Sequence, residues 1–451
     1  MDDFSSMLHA IAPLIFASAC WLYLFLRLSR TSTRVPLMDV GLTYASVVLL
    51  YTVVPIISAL VLGESANPLT DNRLMVYRPS RSEVGDFMWR YVAVLAGFVG
   101  TYPLIWRQEL RIALDFESTK RYWRVTLTFV IGLTIYFLIL SLTSGVAYRG
   151  TFDEGFLDSA EKYAALPILA RQISGRLAGV LLATKITLVI IIVGQFRKPM
   201  WRYGGLCWCF YEFIIPFIDL GSRSSSLFVI FTFIIAYHTF VRPIPSGAIV
   251  LGGCVVIAVF LIQGIVRAEG AQALLEEFGV LTALLSSNEF QSVFGTAYDI
   301  HMRQEVGDLE IPWQIYFADF FRLLPQQMFP IQKVDQAEWY LEMIGYSGEG
   351  VGFTFGTVSE GVIGFGILEL AVRGVVLGVV LGFIHNFVCR RGNGFIVIFF
   401  YVWLCTRVYL SIRASTFYWL SSVLFEFAPF ALVIYLLRSG SKWTRNVAWK
   451  T

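Results

Sequence analysis

Charge is what this chain has little of. Of its 451 residues only 15% are Asp, Glu, Lys or Arg, while 57% are hydrophobic. A soluble domain carries nearer a quarter charged residues. Apolar runs recur at about 20 residues, the length of a helix that crosses a bilayer's hydrocarbon core. The four histidines (His9, His238, His301, His385) lie far apart and form no HExxH-type cluster. All six cysteines (Cys20, Cys207, Cys209, Cys254, Cys389, Cys405) sit in or at the ends of apolar runs. Cys207 and Cys209 lack the CxxC spacing of a metal or redox pair. These patterns exclude a recognisable metal centre and a disulfide framework, and no cofactor and no nucleic-acid partner are expected. Ala17-Ser18-Ala19-Cys20 resembles a lipoprotein box, but Asp2 and Asp3 replace the basic start of a signal peptide. The first apolar run therefore reads as a membrane helix. Neither an inverted nor a parallel repeat is visible, unlike the repeat-built transporters.

The expected fold class is an all-α polytopic membrane protein, one integral membrane domain over 1–451. Eleven crossings are expected, at 7–26, 38–62, 87–106, 125–147, 174–196, 203–220, 225–241, 246–266, 366–389, 394–412 and 416–437. Cytoplasmic loops carry the excess of Lys and Arg. About half of the 35 basic residues fall in the short segments that are inside if the N-terminus is outside, including Arg107, Arg111, Lys120, Arg197, Lys198, Arg390 and Arg391. The expected topology is N-out, C-in. Residues 267–365 then form a large outer loop, too varied in composition for disorder. In it Trp313, Phe317, Phe320 and Leu324 recur at spacings of 4, 3 and 4, with Asp319 and Arg322 off that line. This pattern predicts an amphipathic helix on the membrane or on the bundle.

Charges inside the crossings are costly and have partners or cavities. Lys185 and Glu212 are central in the fifth and sixth crossings. At 1.5 Å per residue both lie roughly 15–17 Å from the inner surface, so adjacent antiparallel helices bring them level. We read them as a register-setting ion pair. Arg90, Arg176 and Arg373 lie near outer helix ends, where a long side chain can snorkel to water.

Four outer features converge. Arg223 sits in the turn Gly221-Ser222-Arg223-Ser224-Ser225-Ser226. Arg267 closes the eighth crossing, and Arg413 lies in the turn Ser411-Ile412-Arg413-Ala414-Ser415. Glu360 lies in the glycine-rich stretch Val351 to Gly378, which reads as the floor of an active site facing away from the cytoplasm. Arginine binds phosphate through a planar fork of donors and stays charged. A departing diphosphate needs that charge. A carboxylate at a water–membrane boundary can take the proton of an attacking hydroxyl. Arginines with one base suit glycosyl transfer from a lipid-linked diphosphate donor. Arg322 and Arg149 are further candidate substrate contacts.

The order of these motifs resembles the bacterial polysaccharide repeat-unit polymerases, the group of the O-antigen polymerases. The order runs Gly-Ser-Arg after an apolar helix, an arginine before the large outer loop and a Leu-Pro segment within it. It continues with G-x-x-x-x-G-x-x-x-E-G-x-x-G-x-G and an Ile-Arg-Ala-Ser turn. The resemblance covers about residues 200–430. It implies a metal-independent GT-C glycosyltransferase in the bacterial inner membrane with its active site facing the periplasm. Such an enzyme joins undecaprenyl-diphosphate-linked oligosaccharides, with a flippase and a chain-length regulator as possible partners besides the bilayer. It also implies that Arg223, Arg267 and Arg413 line the diphosphate cavity. For the base it leaves Glu360 and, since the related O-antigen ligases use a loop histidine, His301. An O-antigen ligase and a lipid-linked oligosaccharide flippase are the alternatives.

Overall fold

In a computed structural model, the chain is described over residues 2–31, 39–62, 79–107, 116–144, 167–196, 198–218, 223–245, 247–248, 251–253, 288–324, 334–345, 354–391 and 395–436. Among these residues every regular element is helical. Eight helices are long and apolar enough to cross a membrane: Met7–Arg30, Val40–Val61, Arg81–Ile105, Tyr122–Leu140, Leu177–Gly194, Ile367–Arg390, Phe395–Arg413 and Tyr418–Leu436. The chain is a helical, membrane-embedded protein. The expected crossings at 203–220 and 225–241 fall on helices whose side chains are described only in part and which are not among these eight, and 246–266 lies mostly outside the described residues.

The chain divides into two compact units. Unit 1 comprises Met1–Leu110, Ile244–Arg390 and Arg407–Tyr418. Its first three helices, α1 (Asp2–Thr31), α2 (Val40–Leu62) and α3 (Arg81–Ile105), pack on one another. Helix α3 starts at a capping box: Ser80 Oγ accepts from the Glu83 amide at 3.4 Å, and Glu83 Oε2 accepts from the Ser80 amide at 2.6 Å. That satisfies two of the amides a helix start leaves open. The Trp21 indole donates to Ser46 Oγ at 2.8 Å, joining α1 to α2.

The long helix of unit 1 that matters for the site is Ile367–Arg391. It lies along α3 through small residues. A Cβ on Gly97 would overlap the Ala371 carbonyl, and one on Gly374 would overlap the Val94 carbonyl. Lipid tails are as apolar as leucine, so close backbone approach through small residues replaces hydrophobic burial as the glue. At the far end of this seam Asp39 collects donors from three helices. Tyr102 Oη donates to its Oδ2 at 3.0 Å and Trp106 Nε1 at 2.9 Å, and His385 Nδ1 lies 3.5 Å away. The Leu42 amide donates to Oδ1 at 2.9 Å, which caps α2. The seam and this anchor set the axial position of the long helix, and thus where its other end begins.

Unit 2 comprises Arg111–Pro243, Arg391–Thr406 and Trp419–Thr451. It holds α4 (Phe116–Ser144), α5 (Ile168–Gly194), α6 (Pro199–Ile218) and α7 (Arg223–Phe240). Val189, Val193 and Phe196 of the α5 end pack with Val229 and Ala236 of α7. Lys185 Nζ donates to Glu212 Oε2 at 2.6 Å, joining α5 to α6, with both side chains under a tenth exposed. Residues Val423–Phe427 form a π-helical turn inside the last span.

Candidate functional site

The site is assembled within unit 1, beginning with the short helix Thr357–Ile363, which carries Glu360. It cannot run straight into the next helix because Gly364-Phe365-Gly366 intervenes. Gly366 has φ +65°, a conformation that L side chains rarely adopt. A Cβ on Gly364 would overlap the Glu369 carboxylate, whose Oε2 accepts from the Phe365 amide at 2.9 Å. So the glycine-rich stretch is a broken turn, and Glu369 rather than Glu360 satisfies the backbone entering the following helix.

Glu360 is turned inward, with its side chain 6% exposed. Its Oε2 accepts from Arg373 Nη1 at 2.7 Å, from Thr416 Oγ1 at 2.7 Å and from the Thr416 amide at 3.0 Å. Its Oε1 accepts from Gln336 Nε2 at 3.0 Å. Arg373 also bonds Glu369 Oε1 through Nε at 2.8 Å and Thr416 Oγ1 through Nη1 at 2.8 Å. Burial pushes the Glu360 carboxyl above its ordinary range. The Arg373 guanidinium opposes that rise, the charge of Asp319 adds to it, and the two Thr416 donors pull back. The net direction is upward, so the carboxylate is more basic than one in water.

Thr416 belongs to the turn after helix Leu410–Arg413, and this turn is held from several sides. Thr357 Oγ1 donates to the Ser411 carbonyl. Ser415 Oγ donates to Asp319 Oδ1, and the Phe417 amide donates to Asp319 Oδ2 at 3.1 Å. Asp319 lies on Ala318–Leu323, the second of two short helices; the first is Trp313–Tyr316. The single amphipathic helix expected there is thus broken at Phe317. Its polar face, Asp319 and Arg322, is turned toward the turn. Arg322 Nη2 donates to Asp335 Oδ2 at 2.9 Å, and its guanidinium lies 4.7 Å from the centre of the Tyr418 ring. Asp335 in turn caps Gln336–Met343, accepting from the Ala337 amide at 2.9 Å, and so places Gln336 against Glu360. These segments, far apart in the chain, converge on one carboxylate.

The expected site residues do not all fall together. Arg413 is half-buried at the end of Leu410–Arg413, three residues before Thr416. Arg322 is in the ring of residues just described. Arg223 begins α7 in unit 2, with its side chain outside the described residues. Arg267 and Arg149 lie outside the described residues altogether. His301, on helix Asn288–Val306, belongs to a different cluster. Its Nε2 is 3.0 Å from Arg90 Nη2 and 3.2 Å from Glu305 Oε1, with the ring against Phe87. Burial pushes the His301 imidazole down, the Arg90 charge adds to this, and Glu305 opposes it. Nearby, Tyr340 Oη donates to Asp299 Oδ2 at 2.9 Å and Arg303 Nε donates to the same oxygen at 2.9 Å.

Sequence reasoning missed Arg373, Thr416, Gln336 and Asp319. The position of Arg373 suggests a snorkelling side chain, yet the structure turns it inward. Its one local signal is the i, i+4 pair with Glu369, a spacing that places both on one helix face. Among the described residues no group of three or more His, Cys, Asp or Glu could hold a metal ion. Around Glu360 the acids Glu369 and Asp319 outnumber the one cation in direct contact, Arg373. Such a cluster suits holding a proton or a hydroxyl. Comparison of the chain with family models, with curated proteins and with solved structures returned no match.

Proposed function

We propose that this chain is a membrane glycosyltransferase that polymerises undecaprenyl-diphosphate-linked oligosaccharide units on the periplasmic face, with Glu360 as its general base. The observation that carries the reading is Glu360 itself. It is a carboxylate made more basic by burial, at the head of a membrane span, beside a turn that bears an arginine. Its Oε2 is engaged by three donors, while among the described residues Oε1 accepts only from Gln336, which leaves that oxygen a lone pair for a proton. In the proposed reaction a sugar hydroxyl of the acceptor gives its proton to Oε1 as it attacks the anomeric carbon. The bond from that carbon to the lipid diphosphate breaks, and Arg413 holds the departing charge, a part that the family resemblance also implies for Arg223 and Arg267. Arg322 orients the turn through Tyr418. Arg149 and His301 are further candidates for substrate contact and for the base. This reading keeps eleven crossings and an N-out, C-in topology.

The test is polymerisation of purified lipid-linked units by the reconstituted protein. Glu360→Gln is expected to bind donor normally and to turn over about 10²–10⁴-fold more slowly. Arg413→Lys keeps charge but loses the bidentate fork, so polymer should fall sharply at normal membrane levels. Wild-type turnover in both variants would remove the proposal. An impermeant thiol reagent in intact cells should label a cysteine placed at 308 but not one placed at 445.

A further inference from the structure

The break at Phe317 has a consequence for the outer face of the same segment. With Asp319 and Arg322 bonded inward, the rings face out: Trp313 is 51% exposed, Tyr316 48%, Phe317 55% and Phe320 58%. Phe365 and Leu368, in the turn and first residues of the Ile367–Arg390 span, are 85% and 73% exposed. The two groups adjoin, since Tyr316 Oη donates to the Ile363 carbonyl at 3.4 Å. An exposed apolar face of this size needs a cover.

We propose that the bilayer is that cover. The segment 313–320 is an interfacial foot, its rings seated in the leaflet that the span enters. Three observations point to lipid. The patch is continuous with the apolar side of the membrane span, where Val372, Phe383 and Phe387 are each more than half exposed. It is built of Trp, Tyr and Phe, and the amphipathic Trp and Tyr are the residues that collect at headgroup level. Every charged group of the segment is turned away from it: Asp319 to Ser415 and Phe417, Arg322 to Asp335 and Tyr418. Held this way, the Glu360–Arg373–Thr416 cluster lies at headgroup depth. An amphiphile whose polar group adjoins its apolar tail then reaches the cluster sideways, without leaving the bilayer.

The test uses the intact protein in liposomes that contain a phospholipid with a photoreactive diazirine in its acyl chain. Labelled residues are read by mass spectrometry. Val372 and Phe383 mark full exposure to lipid, and Glu305 and Asp308 mark exposure to water. Residues 313, 316, 317 and 320 should label within about threefold of the first pair and about tenfold above the second. Labelling of 372 and 383 with none at 313–320 overturns the proposal. So does a chemical crosslink between two copies through this segment, which would make a second chain the cover. Neither result depends on whether the protein polymerises sugars.

Discussion

Each unit of this protein buries an ion pair, and the two are built to different plans. In unit 2, Lys185 and Glu212 meet at 2.6 Å, and among the described residues neither makes a second side-chain hydrogen bond. In unit 1, Glu360 and Arg373 meet at 2.7 Å inside a web that also takes in Glu369, Thr416, Gln336 and Thr357. The isolated pair does one thing: it holds two helices in register. Its members need only each other, so the pair is removable as a unit. The webbed pair ties a short helix, a long helix, a turn and a capped helix to one carboxylate. Removing the pair still leaves polar groups stranded. Buried charge specifies structure in both units, but only in unit 1 does it gather reactive groups from distant parts of the chain.

The strongest test of this contrast is Arg373→Met. It takes the cation away from buried Glu360 and half-buried Glu369. We expect a loss of about 3–5 kcal/mol, seen as a large fall in thermal midpoint in detergent. Adding Glu360→Leu should restore little, because Thr416, Gln336 and Glu369 remain without their partner. Full recovery in that double variant would make the two pairs equivalent and end the comparison. In unit 2, Lys185→Met alone should cost about 3 kcal/mol. There the double variant Lys185→Met, Glu212→Leu should return to within about 1 kcal/mol of the parent, since an apolar pair carries no desolvation cost.

A smaller effect sharpens the role of the turn. Asp319→Asn keeps one acceptor oxygen but turns an amide donor toward either Ser415 Oγ or the Phe417 amide. A loss of about 1–2 kcal/mol is expected, with faster hydrogen exchange at the Phe417 amide. Unchanged exchange there would show that the turn stands without Asp319. The smallest effect concerns His301. Its imidazole is held below the ordinary histidine range by burial and by Arg90. The folded protein therefore binds its proton less readily than the unfolded chain does. The stability linked to His301 is present above the unfolded value of about 6.5 and is lost as pH falls through it toward the lower folded value. The thermal midpoint should drop on acidification across that window, and drop less in His301→Gln. Equal pH profiles would mean that His301 is not the group responsible.

Much of the architecture was legible because membrane insertion is a one-dimensional constraint. A run of apolar residues either spans the hydrocarbon or it does not, and backbone groups in lipid must bond within their own helix. Hence the helical fold and the eight described spans follow from composition along the chain. The ion pair of Lys185 with Glu212 was also readable, because depth in a bilayer counts as a coordinate and both residues sit at the same one. The glycines at 364 and 366 announced a break, since a helix interior disfavours them.

The site was legible only in its one carboxylate. Glu360 stands out as a lone acid in an apolar stretch, but nothing near it in sequence names its partners. Asp319, Gln336 and Thr416 come from segments tens of residues away, and hydrogen bonding between them depends on distances that no periodicity encodes. Arg373 is the sharpest case. At a helix end the same side chain can reach outward to water or inward to a carboxylate, and the two choices differ by whether a buried acid lies within reach. Position along the chain is common to both. The choice was made by the glycine seam and the Asp39 anchor, which place the long helix so that Arg373 meets Glu360 rather than solvent.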